Sequence, residues 1–457
     1  MASGSRGGAQ LFRFGLVTMV VGVGAGASGG LLALLLHTVQ HLAYGYSNGP
    51  FLTAVEASSP WRRLLMMGLA GVVAGVGWWA LYRFARPLVS IEDAIRARRP
   101  RMPAFTTLCH ALLQVVTVGL GSPLGREVAP RQAAAAFATA VCARAGLSGR
   151  QAQVLVACAA GGGLAAVYDV PLGATVFTLE VLLGTWAVGA VVPAALVAAV
   201  ATLVSWSVLP DEPAYPLPDL TVGAPTITWS VLVGPVIGVG AHLFSRTCAA
   251  ARAHAPRGPA LLLTAPAAFF LFGLLAIPYP QILGNGKAPT EVAFGTQPAL
   301  TLAAVLLALR LVIVVLSLRA GAAGGLLTPS VANGALFGAL AGGGWAVLWP
   351  GDSLAAYAVV GAGAFLAAAQ RMPLTAVVLI LEFTDAQLDL VVPVLLAVGG
   401  CDGDRGGACA AGRGRWDAAL TPDVPLSRVS TRQRRPLPAW SRPASPTLFP
   451  PRGGPHL

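Results

Sequence analysis

An all-α, polytopic membrane protein made of two related halves with broken helices is the fold this sequence predicts, on three observations. The first is composition: of 457 residues, 56% are hydrophobic and only 11% charged, and the mean hydropathy is +0.72. Soluble domains carry about a quarter charged residues, so this chain could not coat several water-facing surfaces. The 55 glycines follow no three-residue period, which excludes a collagen-like chain, and the apolar content excludes a disordered one. The second observation is that apolar runs of about 20 residues, enough to cross a bilayer core, recur from Phe14 to Val398. The third is an internal repeat, in which residues 161–180 match residues 363–382 at ten positions, all at an offset of 202.

The elements follow in order. Residues 1–13 read as a cytoplasmic N-terminus and 14–210 as a first transmembrane half. A first span at Phe14–Leu36 is too long for a signal-peptide core, and no clear cleavage pattern follows it. After a second span at Leu64–Tyr82 comes a basic loop, Arg83–Pro103, holding Arg86, Arg96, Arg98, Arg99 and Arg101. The positive-inside rule puts that loop, and the N-terminus two spans earlier, in the cytoplasm. Further apolar stretches fall near 104–120, 131–146, 152–168 and 172–208. After a loop at 211–226, a second half at 227–400 holds stretches near 228–247, 259–278, 297–318, 323–348, 354–383 and 388–400. Several are short and interrupted by Gly or Pro. At membrane depth such breaks are tolerated only where protein or a water-filled cavity surrounds the freed backbone groups. Residues 401–457 change character, with nine Arg, four Asp and no apolar run, and read as a disordered basic tail.

Charge and cysteine narrow the function classes. The net charge of +12 comes from 30 basic and 18 acidic residues, with Lys287 the one lysine. Abundant Arg, Ala and Gly suggest a GC-rich bacterial source and hence the inner membrane, the cell membrane, as the location. A basic balance here fits cytoplasmic loops, and no basic–aromatic interleaving points to nucleic acid. The six scattered cysteines form no CxxC pair and imply neither a disulfide framework nor a zinc site. No cofactor and no metal are expected.

Duplicated halves with broken helices are how transporters build a site near mid-membrane. The sharpest break is Gly121-Ser122-Pro123-Leu124-Gly125-Arg126-Glu127-Val128-Ala129-Pro130, ahead of an Ala-rich helix expected from Arg131. A helix start presents free N–H groups and about half a positive charge, a ready anion seat. The Glu127 carboxylate can occupy that seat and a mobile anion can replace it; alternatively Glu127 only caps the helix or pairs with Arg126. At an offset of 200, Gly321 and Gly325 mirror Gly121 and Gly125, and Gly324-Gly325-Leu326-Leu327-Thr328-Pro329 makes the same break without an acid. Two helix starts converging from opposite halves would hold an anion without a basic side chain, which would bind it too tightly to release quickly. An ordinary packing turn is the plainer reading of the second segment.

Other acids in apolar stretches are Asp169, Glu180, Glu382 and Asp385, with Glu291 in a loop. Glu180 and Glu382, each nine residues after a proline, read as structural, capping or bonding a neighbouring loop. His37 and His41 share a helix face, and without a third ligand they read as an interfacial pair. Gly26-Ala27-Ser28-Gly29 fits the GxSG of intramembrane serine proteases, but Gly22, Gly26 and Gly30 explain it as a helix-packing stripe.

Gly125-Arg126-Glu127, Gly324 to Pro329, Tyr279-Pro280-Gln281-Ile282-Leu283-Gly284-Asn285-Gly286 and the paired stretches Ala165–Glu180 and Ala367–Glu382 together resemble the CLC family of chloride channels and proton-coupled chloride transporters. The resemblance spans about residues 14–400. It implies an all-helical homodimer in membrane lipid, each subunit with two inverted halves and its own chloride pathway. Glu127 would be the gating glutamate, and the backbone amides of Arg126, Glu127, Leu326 and Leu327 would touch the anion. Gly125, Gly324, Gly325 and Pro329 would shape the pore. The chain departs from the pattern at Val128 and Ala129, where the family has Gly and Pro. No serine stands at Ala85–Val89, where the family's anion-binding serine should fall; the nearest is Ser90. The family's last helix, with its pore tyrosine, is missing or scrambled beyond Gly400. Val181 stands where the exchangers carry the acid of their internal proton route. The expectation is therefore channel-like chloride permeation, gated by voltage or pH, and no enzyme. The alternatives are a proton–chloride exchanger using another acid, a non-conducting degenerate homologue, and an intramembrane hydrolase built on Ser28.

Overall fold

The computed structural model describes residues 2–401 apart from 47–50, 98, 148 and 297–298, and leaves out the side chains of residues 2–7 and 9. The expected tail at 401–457 thus lies almost wholly outside the described residues. The first half holds α1 (Ala2–Tyr44), α2 (Phe51–Ala57), α3 (Pro60–Phe84), α4 (Ile91–Arg96) and α5 (Ala104–Gly119). It continues with α6 (Val128–Arg144), α7 (Gly149–Tyr168), α8 (Pro171–Phe177) and α9 (Val188–Ser205). The second half holds α10 (Ala224–Ala253), α11 (Leu261–Leu275), α12 (Lys287–Ala293) and α13 (Leu300–Arg319). It ends with α14 (Leu327–Leu348), α15 (Leu354–Gln370), α16 (Pro373–Thr384) and α17 (Val391–Cys401). Among the described residues there is no strand, and seven helices are long and apolar enough to cross a membrane. This is the all-α, polytopic architecture that the composition predicts.

Local chemistry sets the boundaries. Ser59 caps α3 by accepting from the Arg62 N–H, with Pro60 at the first helical position where no N–H is needed. The apolar run expected at 172–208 divides in two. Here α8 passes into a π-helical turn at Thr178–Leu183 that Gly184 stops in the left-handed region (φ 62°), and α9 starts afresh. The run at 354–383 likewise divides where Arg371 turns left-handed (φ 57°) and Pro373 opens α16. The helix expected from Arg131 begins earlier, at Val128. Pro130 does not delay it, because a helix's first four N–H groups have no intrahelical partner to lose.

The duplication is visible bond by bond. Gly121 (φ 115°) and Gly321 (φ 97°) end α5 and α13. The following residues bond back identically, Ser122 N–H to Thr117 O at 2.9 Å and Ala322 N–H to Ser317 O at 3.1 Å. Asp169 (φ 56°) and Arg371 (φ 57°) occupy matching turns before α8 and α16. Between the halves, Gly125 and Gly325 exchange both N–H···O bonds at 2.9 Å, a single antiparallel pairing. The helices pack on small residues. A methyl at Gly22, Gly26 or Gly30 of α1 would press on Val200, Ala201 and Val204, or Val208, so that glycine stripe seats α1 against α9 and the segment following it.

Candidate functional site

The Gly125–Gly325 pairing fixes two helix starts against each other, one from each half. Glu127 stands at the N-cap of α6 and Leu326 at the N-cap of α14. Each helix carries proline as its third residue, Pro130 and Pro329, so both breaks end in the same way. Glu127 is 1% exposed. Its side chain makes no capping bond within α6. Instead Oε1 accepts the Leu327 N–H at 2.7 Å, from the other half of the chain, while Oε2 has no protein partner. Arg126 forms no ion pair with it; that guanidinium lies over the Tyr168 ring at 4.9 Å. Gly125 and Gly325 leave the space for the carboxylate, since a methyl on either would overlap its oxygens. Gly324 is packed against Leu124.

A carboxylate bound to a backbone amide at a helix start does what a bound anion would do there. It accepts an orphan N–H and meets the positive end of the helix dipole. Glu127 also lines a cavity of about 490 Å³, together with Leu326, Leu327, Gly324 and Gly325. Val181 and Ser90 also line it. Ser90 is committed to α4, accepting from Asp93 N–H at 3.0 Å and donating to Asp93 Oδ2 at 2.8 Å.

Glu180 and Glu382 stand away from the glutamate cradle, at the contact between α8 and α16. The Glu382 carboxylate accepts from Leu172 N–H at 2.8 Å and from Gly173 N–H, the start of α8. The Glu180 carboxylate accepts from Leu374 N–H at 3.1 Å and Thr375 N–H at 2.7 Å, the start of α16. Each half therefore caps a helix of the other. His41 Nδ1 pairs with Tyr46 O at 2.9 Å and the His37 ring stands edge-on to Tyr46. No group of three metal-binding side chains occurs among the described residues. Ser28 donates to Gly24 O at 2.6 Å within its own helix.

Two basic residues at the breaks carry no role in the sequence reading. Arg310, fully buried, donates to Ile282 O, Gly284 O and Pro123 O at 3.0–3.2 Å, and so ties the loop before α12 to the first break. A lone arginine inside the apolar run 297–318 was its signal. Arg131, one turn beyond Glu127, stacks on the Phe177 ring at 4.5 Å and lines the cavity. Its position four residues after an intramembrane glutamate was the readable clue.

Known proteins place this geometry. The family model described as voltage gated chloride channel matches residues 70–402. Among curated relatives, "Voltage-gated ClC-type chloride channel ClcB" of Escherichia coli strain SMS-3-5 / SECEC is 28% identical over 401 residues, covering 85% of this chain and 94% of the relative. The protein of that name in strain O157:H7 matches equally. Among solved structures, "a slow cyanobacterial Cl-/H+ antiporter" superposes with a TM-score of 0.74 at 18% identity, over 89% of this chain and 98% of that one. "A CLC-type fluoride/proton antiporter" gives 0.62 at 20% identity, over 86% and 94%. With the family model covering most of its length and the paired, broken halves in place, the chain belongs to the CLC family of voltage gated chloride channels.

Proposed function

We propose that the protein carries chloride across a bacterial inner membrane as a homodimer, through a channel-like pathway in each subunit that Glu127 gates. The observation that supports this most is the Glu127 carboxylate on the Leu327 amide, where the two halves meet. In the closed state the carboxylate competes with chloride for the N–H groups of Arg126, Glu127, Leu326 and Leu327. Protonation removes the charge that holds it there and leaves the seat to the anion. Gly125, Gly324, Gly325 and Pro329 hold the two helix starts in facing positions. The name shared by the curated relatives, a ClC-type chloride channel, supports chloride as the ion. The basic loop at 83–103 supports a cytoplasmic opening for the cavity, which Tyr82, Ser90 and Glu92 help to line.

The competing reading is proton–chloride exchange, the activity in the titles of two structural neighbours. Val181 on the cavity wall argues against it, since a valine carries no proton. The deciding experiment is chloride flux from proteoliposomes with simultaneous recording of proton movement. Chloride flux with little accompanying proton movement is expected. A fixed chloride-to-proton ratio held across gradients would replace the channel-like reading with the exchanger, and absence of flux would identify a non-conducting homologue.

A further inference from the structure

Three arginines act electrostatically on Glu127: Arg126 beside it, Arg131 one turn along α6, and Arg252 on α10. None forms an ion pair with the carboxylate, because each is held by something else. The Arg126 guanidinium lies over the Tyr168 ring at 4.9 Å and Arg131 over the Phe177 ring at 4.5 Å. Arg252 donates to Gly324 O at 2.9 Å. Arg126 is the case that calls for a reason, since it adjoins Glu127 in the chain and a buried carboxylate gains most from a cation beside it. Its Nε is buried without a hydrogen-bond partner, and the face of the guanidinium rests on the ring.

That ring is held from both halves. Tyr168 is 5% exposed at the end of α7, just before the left-handed turn at Asp169. It packs on Phe383 of α16 with ring centroids 5.3 Å apart. Phe383 meets Tyr215, from the loop between the halves, at 6.0 Å, and Tyr215 meets Phe294 at 6.0 Å. The Tyr215 N–H also donates to Phe383 O at 2.8 Å. The Tyr168 hydroxyl is buried without a hydrogen-bond partner, so what Arg126 uses is the ring face. Other titratable groups facing Arg126 are His37 on α1, Tyr46 after it, Lys287 on α12 and Tyr215. The acids of that neighbourhood, Glu212 and Glu291, act on Tyr46 and Lys287, and Glu291 pairs with Lys287 at 4.0 Å. Freed from the ring, Arg126 has Glu127 as the carboxylate next to it.

We infer that Tyr168 is a positioning residue of the gate, whose ring parks the Arg126 guanidinium so that the Glu127 carboxylate stays unpaired and free to leave the Leu327 amide. The inference rests on the Glu127 gate proposed above. A guanidinium released onto the carboxylate would add a charge-assisted bond to the closed state and favour the ionised form. More acid would then be needed to empty the seat.

The test is chloride flux from proteoliposomes against external pH, with internal pH held constant. Tyr168→Leu removes the ring face and is expected to move the midpoint of acid activation down by about one pH unit or more, the effect of an opposite charge brought beside a carboxyl. Tyr168→Phe keeps the ring face and should keep the wild-type midpoint. In an Arg126→Gln background, Tyr168→Leu should no longer move the midpoint, since no guanidinium is left to release. An unmoved midpoint in Tyr168→Leu would overturn the inference. So would an equal displacement in Tyr168→Phe, or one that persists without Arg126, since either would make Tyr168 a packing or hydroxyl group only. Tyr168→Met, flexible enough to fill the ring's space, repeats the measurement should the leucine variant not purify as a monodisperse protein. Glu127→Gln separates the two levels. A retained pH response there defeats the gate, whereas a flat response together with an unmoved Tyr168→Leu midpoint defeats the tyrosine's role alone.

Discussion

At Glu127 one side chain does the work that elsewhere in the chain takes a pair. Its carboxylate reaches across to the other half, and only one of its two oxygens finds a protein donor. Glu127→Gln removes the charge without changing the volume. Chloride flux in that variant is expected to be high and nearly independent of external pH between about 4 and 7.5, the interval in which a carboxyl of ordinary or moderately raised pKa titrates. Flux measured over that range with internal pH held constant checks it, and a retained wild-type response would reduce Glu127 to a structural group. The sequence made this residue conspicuous, because an acid at a Gly/Pro break inside an apolar chain has few innocent explanations. Arg131 and Arg310 left fainter signals that were easier to pass over. A sequence search for intramembrane charge weighted toward acids passes over an arginine whose partners are carbonyl oxygens or an aromatic face.

Among the elements, the breaks matter more than the helices they interrupt. A methyl added at Gly325 would overlap the Glu127 carboxylate, whereas one at Gly240 would meet nothing within 4 Å. Gly325→Ala should therefore drive the glutamate off the Leu327 amide and flatten the pH response of chloride flux, with Gly240→Ala behaving as wild type. The paired carboxylates at α8 and α16 act differently. Glu382→Gln or Glu180→Gln replaces a charged acceptor of two backbone donors with a neutral one, at a cost of about 1.5–3 kcal/mol. Thermal unfolding in detergent should fall by several degrees while the pH dependence of flux stays put. A matching shift in both properties would place these residues in the gate. Their matched spacing after proline was legible from the repeat, and so was the capping role considered for them. That each caps the other half was not, because a carboxylate's distant partner leaves no local pattern. The division of the 172–208 run was also hidden, since nothing in its apolar content marks the π-helical turn before Gly184.

For the whole molecule, the duplicated architecture was readable from the offset alone, and the structure adds how the copies are joined. Helices α9 and α17 leave apolar side chains outward, among them Val188, Val192, Leu196, Val392 and Leu395. In the proposed homodimer they should pack across the two-fold contact. Cross-linking in lipid should yield dimers, and monomers at every protein density would count against that contact. The same architecture has a consequence for synthesis. When the ribosome has finished the first half, the amides of Leu172 and Gly173 still await Glu382, and the Glu180 carboxylate awaits Leu374 and Thr375. The nascent first half is thus unfinished in its own hydrogen bonding and depends on sequence not yet translated. A chain truncated between the halves leaves this debt open inside the bilayer, exposed to the proteases that survey membrane proteins, and two separately translated halves would each bring what the other lacks.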